Sequence, residues 1–566
     1  MAFSLESATI ITMSFYDIKD WVFSLFEKLS KKELLEVVVV FKNKIEDQEQ
    51  EIKKNKEEVQ KLKDEINKLK GENGKPNIKP NKPGDDQGNN DRPKPPPKPK
   101  SKRGKKARNK KEFLKTQNEI QLEIDKSKLP PDAKYQGTRS IIIQDIEFKL
   151  NNTKLIIPIY YSKELGKNFE PEIPFEFRGS EFGPVSWAFI KQMHFEGRLT
   201  QKVLWKILLG VGLDISQGQV SNMILGNKNI TFDQEMKEAR AAGIVMQNFG
   251  HIDDTGARIE ARNGVTTALV NDFFCQYVTS ASKNRLNAIK VLAGGTLKYC
   301  LNEVALNYID AKIGNRKIFK KLRELKNNRV YTDDDFAKHF LTLDFLKDAS
   351  LTWIKHIQEG CAIAALRAGM MGPVANILIC DDAPQFKGIL ELLGLCWVHE
   401  LRPYKKLMPT HSDFEQIQKD FLDKTWKFYD QLKAYKEQPI EAEKLRLDEE
   451  FDILFSTPTK YYALNGLMKK TFDQKKFLML VLEYPDIPLH NNPAELVMRE
   501  KVIQKKIRMC HRKWIGAICS DLYLSLMATC RKNKISFGEY LRDRFLGTGN
   551  ILPLSTIINS SNTLTY

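Results

Sequence analysis

The chain has 566 residues, about four domains' worth at ~150 residues each. Hydrophobic residues make up 42% and aromatics 10%, enough apolar mass for a large core, which excludes a chain disordered throughout. The 90 Lys and Arg against 72 Asp and Glu leave a net charge of +18, an excess that an enzyme of small metabolites does not need and that a polyanion partner, nucleic acid or an anionic membrane surface, does.

The first 70 residues predict a helix that becomes a coiled coil. Val38, Ile45, Ile52, Val59 and Ile66 recur every seven residues, and Leu34, Phe41, Gln48, Asn55, Leu62 and Leu69 fill the other seam. β-Branched residues at one seam with Leu at the other favour a parallel two-stranded coil, with Gln48 and Asn55 fixing register, so a dimer is expected. The N-terminus lacks a basic n-region and carries Glu6, so it does not read as a signal peptide. Residues 71–112 form a Pro- and Lys-rich linker around PKPPPKPK that cannot bury a core. It holds 11 Lys or Arg between Arg92 and Lys111, among them Lys102, Arg103, Lys105 and Lys106. These make either a solvated tether or a phosphate-binding arm that releases DNA counterions.

Residues 113–178 predict a small β-containing module from SIIIQDIEF and TKLIIPIYY, separated by LNN. The module contains no cysteine, so no structural zinc is expected there. Residues 179–245 turn helical, and TQKVLWKILLGVGLDISQGQVSNMIL has the spacing of a helix-turn-helix, with Ser216 placed to cap its second helix. Residues 246–545 alternate strand-like runs (QNFGHIDD, TTALVNDFF, FCQYVTSA, ANILICDD, LCWVHE) with helical patterns, which argues α/β. A charged amphipathic stretch near 411–480 reads as a helical insertion, and 546–566 as a tail. The apolar segment from Cys361 to Cys380 is broken by Arg367, Gly372, Pro373 and Asn376, and reads as buried helix, turn and strand rather than a membrane span. The eight cysteines, Cys275, Cys300, Cys361, Cys380, Cys396, Cys510, Cys519 and Cys530, never form a CxxC pair, so neither a disulfide framework nor a four-cysteine zinc site is expected.

Acidic residues carry the candidate chemistry. Asp253-Asp254 and Asp381-Asp382 each end a predicted strand, and Glu495 stands at a helix start in HNNPAELVMRE. Singly, each reads as a turn or cap: Asp382 precedes Ala-Pro, and Asn492, Pro493 and Glu495 approach a capping box. Together, one carboxylate from each of two strands and one from a helix would repel unless a hard cation lay between them. Two such ions flanking a phosphodiester activate the attacking oxygen and stabilise the leaving one.

HIDDTGAR, ILICDDAPQF, LCWVHELRPYKKL and HNNPAELVMREKVIQKKIR, in that order over about 180–545, resemble the insertion-sequence-66 family of bacterial transposases. The resemblance implies an RNase H-like catalytic domain whose D, D, E triad binds divalent metal. It places the triad on Asp253, Asp381 and Glu495, although Asp254 replaces the family's usual glutamate and His490 a common aspartate. A Cys-x-x-His motif of this class matches Cys396 and His399, for which packing or hydrogen bonding is expected over metal ligation. Arg499, four residues beyond Glu495 on the same helix face, together with Lys505, Lys506, Arg508 and Arg402, then reads as DNA-contacting.

The expectation is therefore a DNA transposase acting with two Mg²⁺ or Mn²⁺ ions on inverted-repeat ends and target DNA. It would be a homodimer or larger in the bacterial cytoplasm, at the nucleoid, off the membrane, with small accessory proteins implied by the resemblance alone. The rivals are an RNase H-like nuclease without strand transfer and an inactive DNA-binding derivative.

Overall fold

The computed structural model describes residues 149–561 except 348, with isolated residues at 119–122, 132, 138 and 146. The chain divides into two units, 1–102 and 103–566, and the described residues all lie in the second. The expected coiled coil, the whole linker with Lys102, Arg103, Lys105 and Lys106, and all of the expected strand SIIIQDIEF but Ile146 lie outside them. The strand expected in TKLIIPIYY shrinks to its end: β1 (Tyr160–Ser162) pairs with β2 (Lys167–Phe169) across a turn closed by Gly166, and 149–159 form no strand.

Four helices follow: α1 (Pro184–Phe195), α2 (Gln201–Gly210), α3 (Gln217–Leu225) and α4 (Phe232–Met246). Between α2 and α3 the chain turns at Gly212, whose φ of 91° disfavours a side chain. Ser216 starts α3 with a reciprocal capping box, its Oγ accepting from Gln219 N at 3.1 Å and its own N–H donating to Gln219 Oε1 at 2.8 Å.

The central sheet has five strands in the order β5-β4-β3-β8-β9. β3 (Phe249–Ile259) and β4 (Arg262–Val270) are antiparallel and joined by Glu260 and Ala261, both at positive φ (51° and 61°), as a tight hairpin requires. β5 (Cys275–Ser280) pairs antiparallel with β4. The chain then leaves the sheet through α5 (Arg285–Leu292), β6 (Lys298–Cys300), α6 (Glu303–Asp310), α7 (Arg316–Glu324), β7 (Val330–Thr332) and α8 (Leu351–Arg367). It returns as β8 (Ile377–Cys380), parallel to β3, and β9 (Leu392–Leu395), parallel to β8. The helix–turn–strand reading of 361–380 matches α8, its turn and β8. LCWVHE divides: its strand ends at Leu395, and α9 (Trp397–Lys405) begins two residues later.

α10 (Ser412–Glu437), α11 (Glu441–Ser456) and α12 (Tyr462–Asp473) form the helical insertion. Its aromatic core closes on Trp397, fully buried with ring centroids 5.7 Å from Phe428, 6.1 Å from Phe451 and 6.3 Å from Phe455. The insertion is thereby packed onto the helix that leaves β9. α13 (Asn492–Arg508), α14 (Trp514–Lys532), α15 (Phe537–Leu546) and α16 (Leu554–Ser560) complete the chain. The expected tail holds a helix: α16 packs against α4 and buries Leu554 and Ile558.

The edge of β5 is closed by side chains. The N–H groups of Cys275, Tyr277 and Thr279 donate to Thr529 Oγ1 (3.2 Å), Ser525 Oγ (2.9 Å) and Asp521 Oδ2 (2.6 Å) on α14. Four helical residues rise about 6 Å and two strand residues about 6.8 Å, so helix positions four apart meet alternate strand positions. An edge that could template pairing with another chain is satisfied internally. Asp521 also holds the buried Lys501 of α13 at 2.5 Å, so the sheet edge fixes α13 through one carboxylate.

Candidate active site

β3 and β8 bring the two aspartate doublets level. Their parallel register pairs Phe249 with Ile377, Gly250 with Leu378 and His251 with Ile379; continued by two residues, it sets Asp381 beside Asp253. β3 runs on past Asp253 and Asp254, which pair with Ala268 and Thr267 of β4, so these residues do not end the strand as expected. No helix starts after Asp382; residues 384–388 are turns.

The members of each doublet have different partners. Asp254 is tied by Lys283 at 2.9 Å and by Gln385 Nε2 at 2.7 Å. Asp382 is tied by Lys387, by Lys470 Nζ at 3.0 Å and by Gln474 Nε2 at 3.0 Å. Burial would raise the Asp382 carboxyl, but hydrogen bonds from these three side chains outweigh it and hold it below its ordinary value. Lys470 lies on α12 and Gln474 just after it, so the insertion reaches the strand end through Asp382.

Asp253 and Asp381 have no lysine or arginine ion pair among the described residues. Burial pushes Asp253 up to about 7, against a 2.7 Å bond from the Asp254 N–H, and the nearby charges of Asp381, Asp254 and Glu495 push it the same way. Burial also raises Asp381, opposed by His399. The register sets Asp381 beside Asp253, and the charge of Glu495 reaches Asp253 as well.

Glu495 lies in the first turn of α13, where the helix dipole favours a carboxylate. Its Oε1 is 3.5 Å from His399 Nδ1 and 3.7 Å from Arg402 Nη2, and Arg402 Nη1 approaches His399 Nε2 at 2.6 Å. Arg402 is thus at the site. Arg499, one turn beyond Glu495, is exposed on α13 and makes no ion pair with Glu495 among the described residues. Burial lowers His399, and Arg402 adds to this while Glu495 and Asp381 oppose it.

Asn491 places α13, a role the sequence did not reveal. The capping box expected at Asn492 is absent: Asn492 is the first helical residue and Asn491 the cap, whose side chain makes no capping bond. Instead Asn491 Nδ2 donates to the Ile252 carbonyl at 2.9 Å, and Oδ1 accepts from His251 Nδ1 at 3.0 Å. Its backbone N–H meets Cys396 Sγ at 3.3 Å. Burial holds His251 down at about 4, so the ring is neutral at physiological pH and carries its proton on Nδ1. One buried amide thus joins β3 beside Asp253, the residue between β9 and α9, and the helix of Glu495.

The basic residues of α13 separate. Lys506 is exposed, and Lys505 is half-buried with one N–H donated to the Gly256 carbonyl at 2.5 Å. Arg508 does not face a DNA path. Its guanidinium donates to the His194 carbonyl, lies 5.7 Å from the Phe195 ring, and is pulled down to about 10 by burial, so it packs α13 against α1.

The donor set suits a hard divalent cation. It is all carboxylate, and Asp381 Oδ1 and Glu495 Oε1 are buried without a hydrogen-bond partner. Among the described residues no three His, Cys, Asp or Glu side chains are gathered closely enough to hold a metal ion as they stand. All eight cysteines are free, and only Cys510 is exposed. Among the described residues no helix is long and apolar enough to cross a membrane.

The family described as Transposase IS66 family matches residues 362–518, a span that includes Asp381 and Glu495 and begins after Asp253. The chain is 32% identical over 327 residues to uncharacterized protein y4jO of Sinorhizobium fredii (strain NBRC 101917 / NGR234), covering 56% of this chain and 98% of that protein. No solved structure matches.

Proposed function

The chain belongs to the IS66 family of transposases, and on that premise we propose that it cleaves DNA at the ends of its element and joins them to target DNA. What supports this is the register that sets Asp381 beside Asp253, both half-buried and without a lysine, while the doublet partners Asp254 and Asp382 are paired with lysine. The sheet order, three antiparallel strands followed by two running parallel to the first, supports an RNase H-like catalytic domain.

Asp253, Asp381 and Glu495 are the ligands. When bound, two Mg²⁺ or Mn²⁺ ions supply the positive charge that makes water or a 3′-hydroxyl nucleophilic and stabilises the leaving oxygen. Arg402 orients Glu495 and offers its exposed guanidinium to a phosphate. His399, neutral beside Glu495, can hold a proton at the edge of the site. Arg499, Lys505 and Lys506 extend the DNA path along α13, and Lys102, Arg103, Lys105 and Lys106 of the linker add affinity without sequence information. The N-terminal heptad pairs two chains, so that both ends are held together, and α2–α3 reads DNA as a helix-turn-helix. The work takes place in the bacterial cytoplasm at the nucleoid, with small accessory proteins of the same element.

The test uses purified full-length protein, a linear DNA carrying the sequences that flank the gene, a target plasmid and Mg²⁺. The expected product is a 3′ end of the element joined to the plasmid. Cleavage without joining would favour a nuclease, and binding without cleavage an inactive derivative.

A further inference from the structure

Away from the triad, α7 carries a charge that the proposed reaction does not use. From Lys312 to Arg329 there are eight Lys or Arg and one acidic residue, Glu324. α7 buries Ile318 and Leu322, and turns Arg316, Lys317, Lys320, Lys321 and Arg323 outward, all exposed. Some of this charge is met on the surface, by Arg316 with Asp310 (2.7 Å), Lys321 with Glu324 (3.2 Å) and Lys326 with Glu303 (2.5 Å). Such exposed pairs add little in water and exchange readily for a phosphate. Lys312, Lys317 and Lys320 have no ion pair among the described residues.

The face is concave. Lys317, Lys320 and Lys321 line a cleft of about 500 Å³ whose wall includes the half-buried rings of Phe345 and Trp353. This cleft shares no residue with the one lined by Asp381, Cys396 and His399. α7 packs on α6, and α6 on α8. Glu359 of α8 pairs with Arg285 at 3.2 Å, and Arg285 donates to the carbonyls of Pro384 (2.8 Å) and Lys387 (3.2 Å) in the loop after Asp382. The basic face is therefore held rigidly to the catalytic sheet while standing apart from the triad.

We propose that α7 and the turn before it form a second DNA-backbone site, with Lys312, Lys317 and Lys320 taking phosphates of duplex outside the cleavage point. The inference rests on the transposase reading for its partner. Charge complementarity selects the partner: Lys317 and Lys320, about one helical turn apart, and Lys312 in the preceding turn carry unpaired ammonium groups that displace counterions from a phosphodiester chain. The adjoining rings provide an apolar wall against which the lysine stems pack.

The test compares the full-length chain with a Lys312→Gln, Lys317→Gln, Lys320→Gln variant and the matching triple Lys→Arg variant. The probe is a random-sequence 60-base-pair duplex, read by fluorescence anisotropy from low to high salt. All three positions are exposed, so thermal unfolding should not change. The Gln variant should bind on the order of 10- to 100-fold more weakly near physiological salt, with the log–log salt slope shallower by about 2–3, and the Arg variant should bind like the parent. An unchanged slope for the Gln variant would overturn the site. So would loss of binding to phosphatidylserine-containing vesicles with duplex binding intact, which would make this a membrane face. Asp381→Asn, run in parallel, should keep the parental slope and lose cleavage. If the parent itself does not cleave, the catalytic reading fails while the slope comparison still decides this one.

Discussion

The middle of β3 and the end of β8 carry the same Asp-Asp doublet, yet the two members of each doublet meet opposite environments. Asp254 and Asp382 lie against Lys283, Lys387 and Lys470, with amides of Gln385 and Gln474 completing their hydrogen bonds. Asp253 and Asp381 are raised by burial and lie side by side on the parallel strands, with no lysine or arginine ion pair among the described residues. Burying a carboxylate with a lysine is ordinary structural chemistry. Burying two beside a third without one costs folding energy, and such a cost is maintained where the group has work to do.

The largest difference should appear in chemistry. Asp253→Asn and Glu495→Gln should each lower cleavage of an element end by ~10³-fold or more, because each removes a charge from the metal site while keeping shape. Asp254→Asn should stay within about 10-fold of the parent, because Asn still bonds Gln385 and only the pair with exposed Lys283 is lost. Gel-resolved cleavage, with DNA binding measured on the same preparations, checks both. A dead Asp254→Asn variant beside an active Asp253→Asn variant would reverse the assignment.

Next in size is the clamp that aligns the two sides. Asn491→Ala should lower the cleavage rate constant by about 10²-fold with DNA affinity nearly unchanged, since a displacement of about 1 Å at the reacting groups has that effect. A loss of affinity with the rate at saturation preserved would show Asn491 to be a packing residue only.

Stability should move in opposite directions for the two members. In chelator at neutral pH, Asp253→Asn should stabilise the chain by on the order of 2 kcal/mol and Asp254→Asn should not. The sign follows from linkage. The folded Asp253 carboxyl sits near about 7, above its unfolded value of 3.8, so between these values the folded state binds more protons and stability falls as pH rises. The advantage of the Asn variant should therefore shrink as pH falls from 7 towards 4. Denaturant melts at several pH values measure it, and a pH-independent difference would show that Asp253 is not held in this way.

The smallest effect should come from the sheet's far edge. Ser525→Ala leaves the Tyr277 N–H without its acceptor and should cost about 1 kcal/mol in the same melts, with cleavage retained.

Much of this was legible locally. Alternating apolar runs marked β3, β4, β5 and β8, Ser216 announced its cap, and a helix opening beside Pro493 placed Glu495. What stayed hidden depends on partners far away in sequence. Asp253 and Asp254 are chemically identical until Lys283 and Gln385 choose one of them. Asn491 went unmarked beside the expected cap at Asn492, because nothing near it in the chain shows that its amide faces His251 and Ile252, about 240 residues away. Arg508 looked like one more cation in a basic run, and only the meeting of α13 with α1 turns it inward.

The most direct test is calorimetric titration of Mn²⁺ into chelator-treated full-length protein and its Asp381→Asn and Asp382→Asn variants. The parent and Asp382→Asn should bind Mn²⁺ with similar affinity, and Asp381→Asn should lose at least one ion or weaken on the order of 10-fold or more, since a hard cation depends on that charge. Equal binding by the parent and Asp381→Asn, or loss confined to Asp382→Asn, would contradict the assignment of the unpaired carboxylates as the metal ligands.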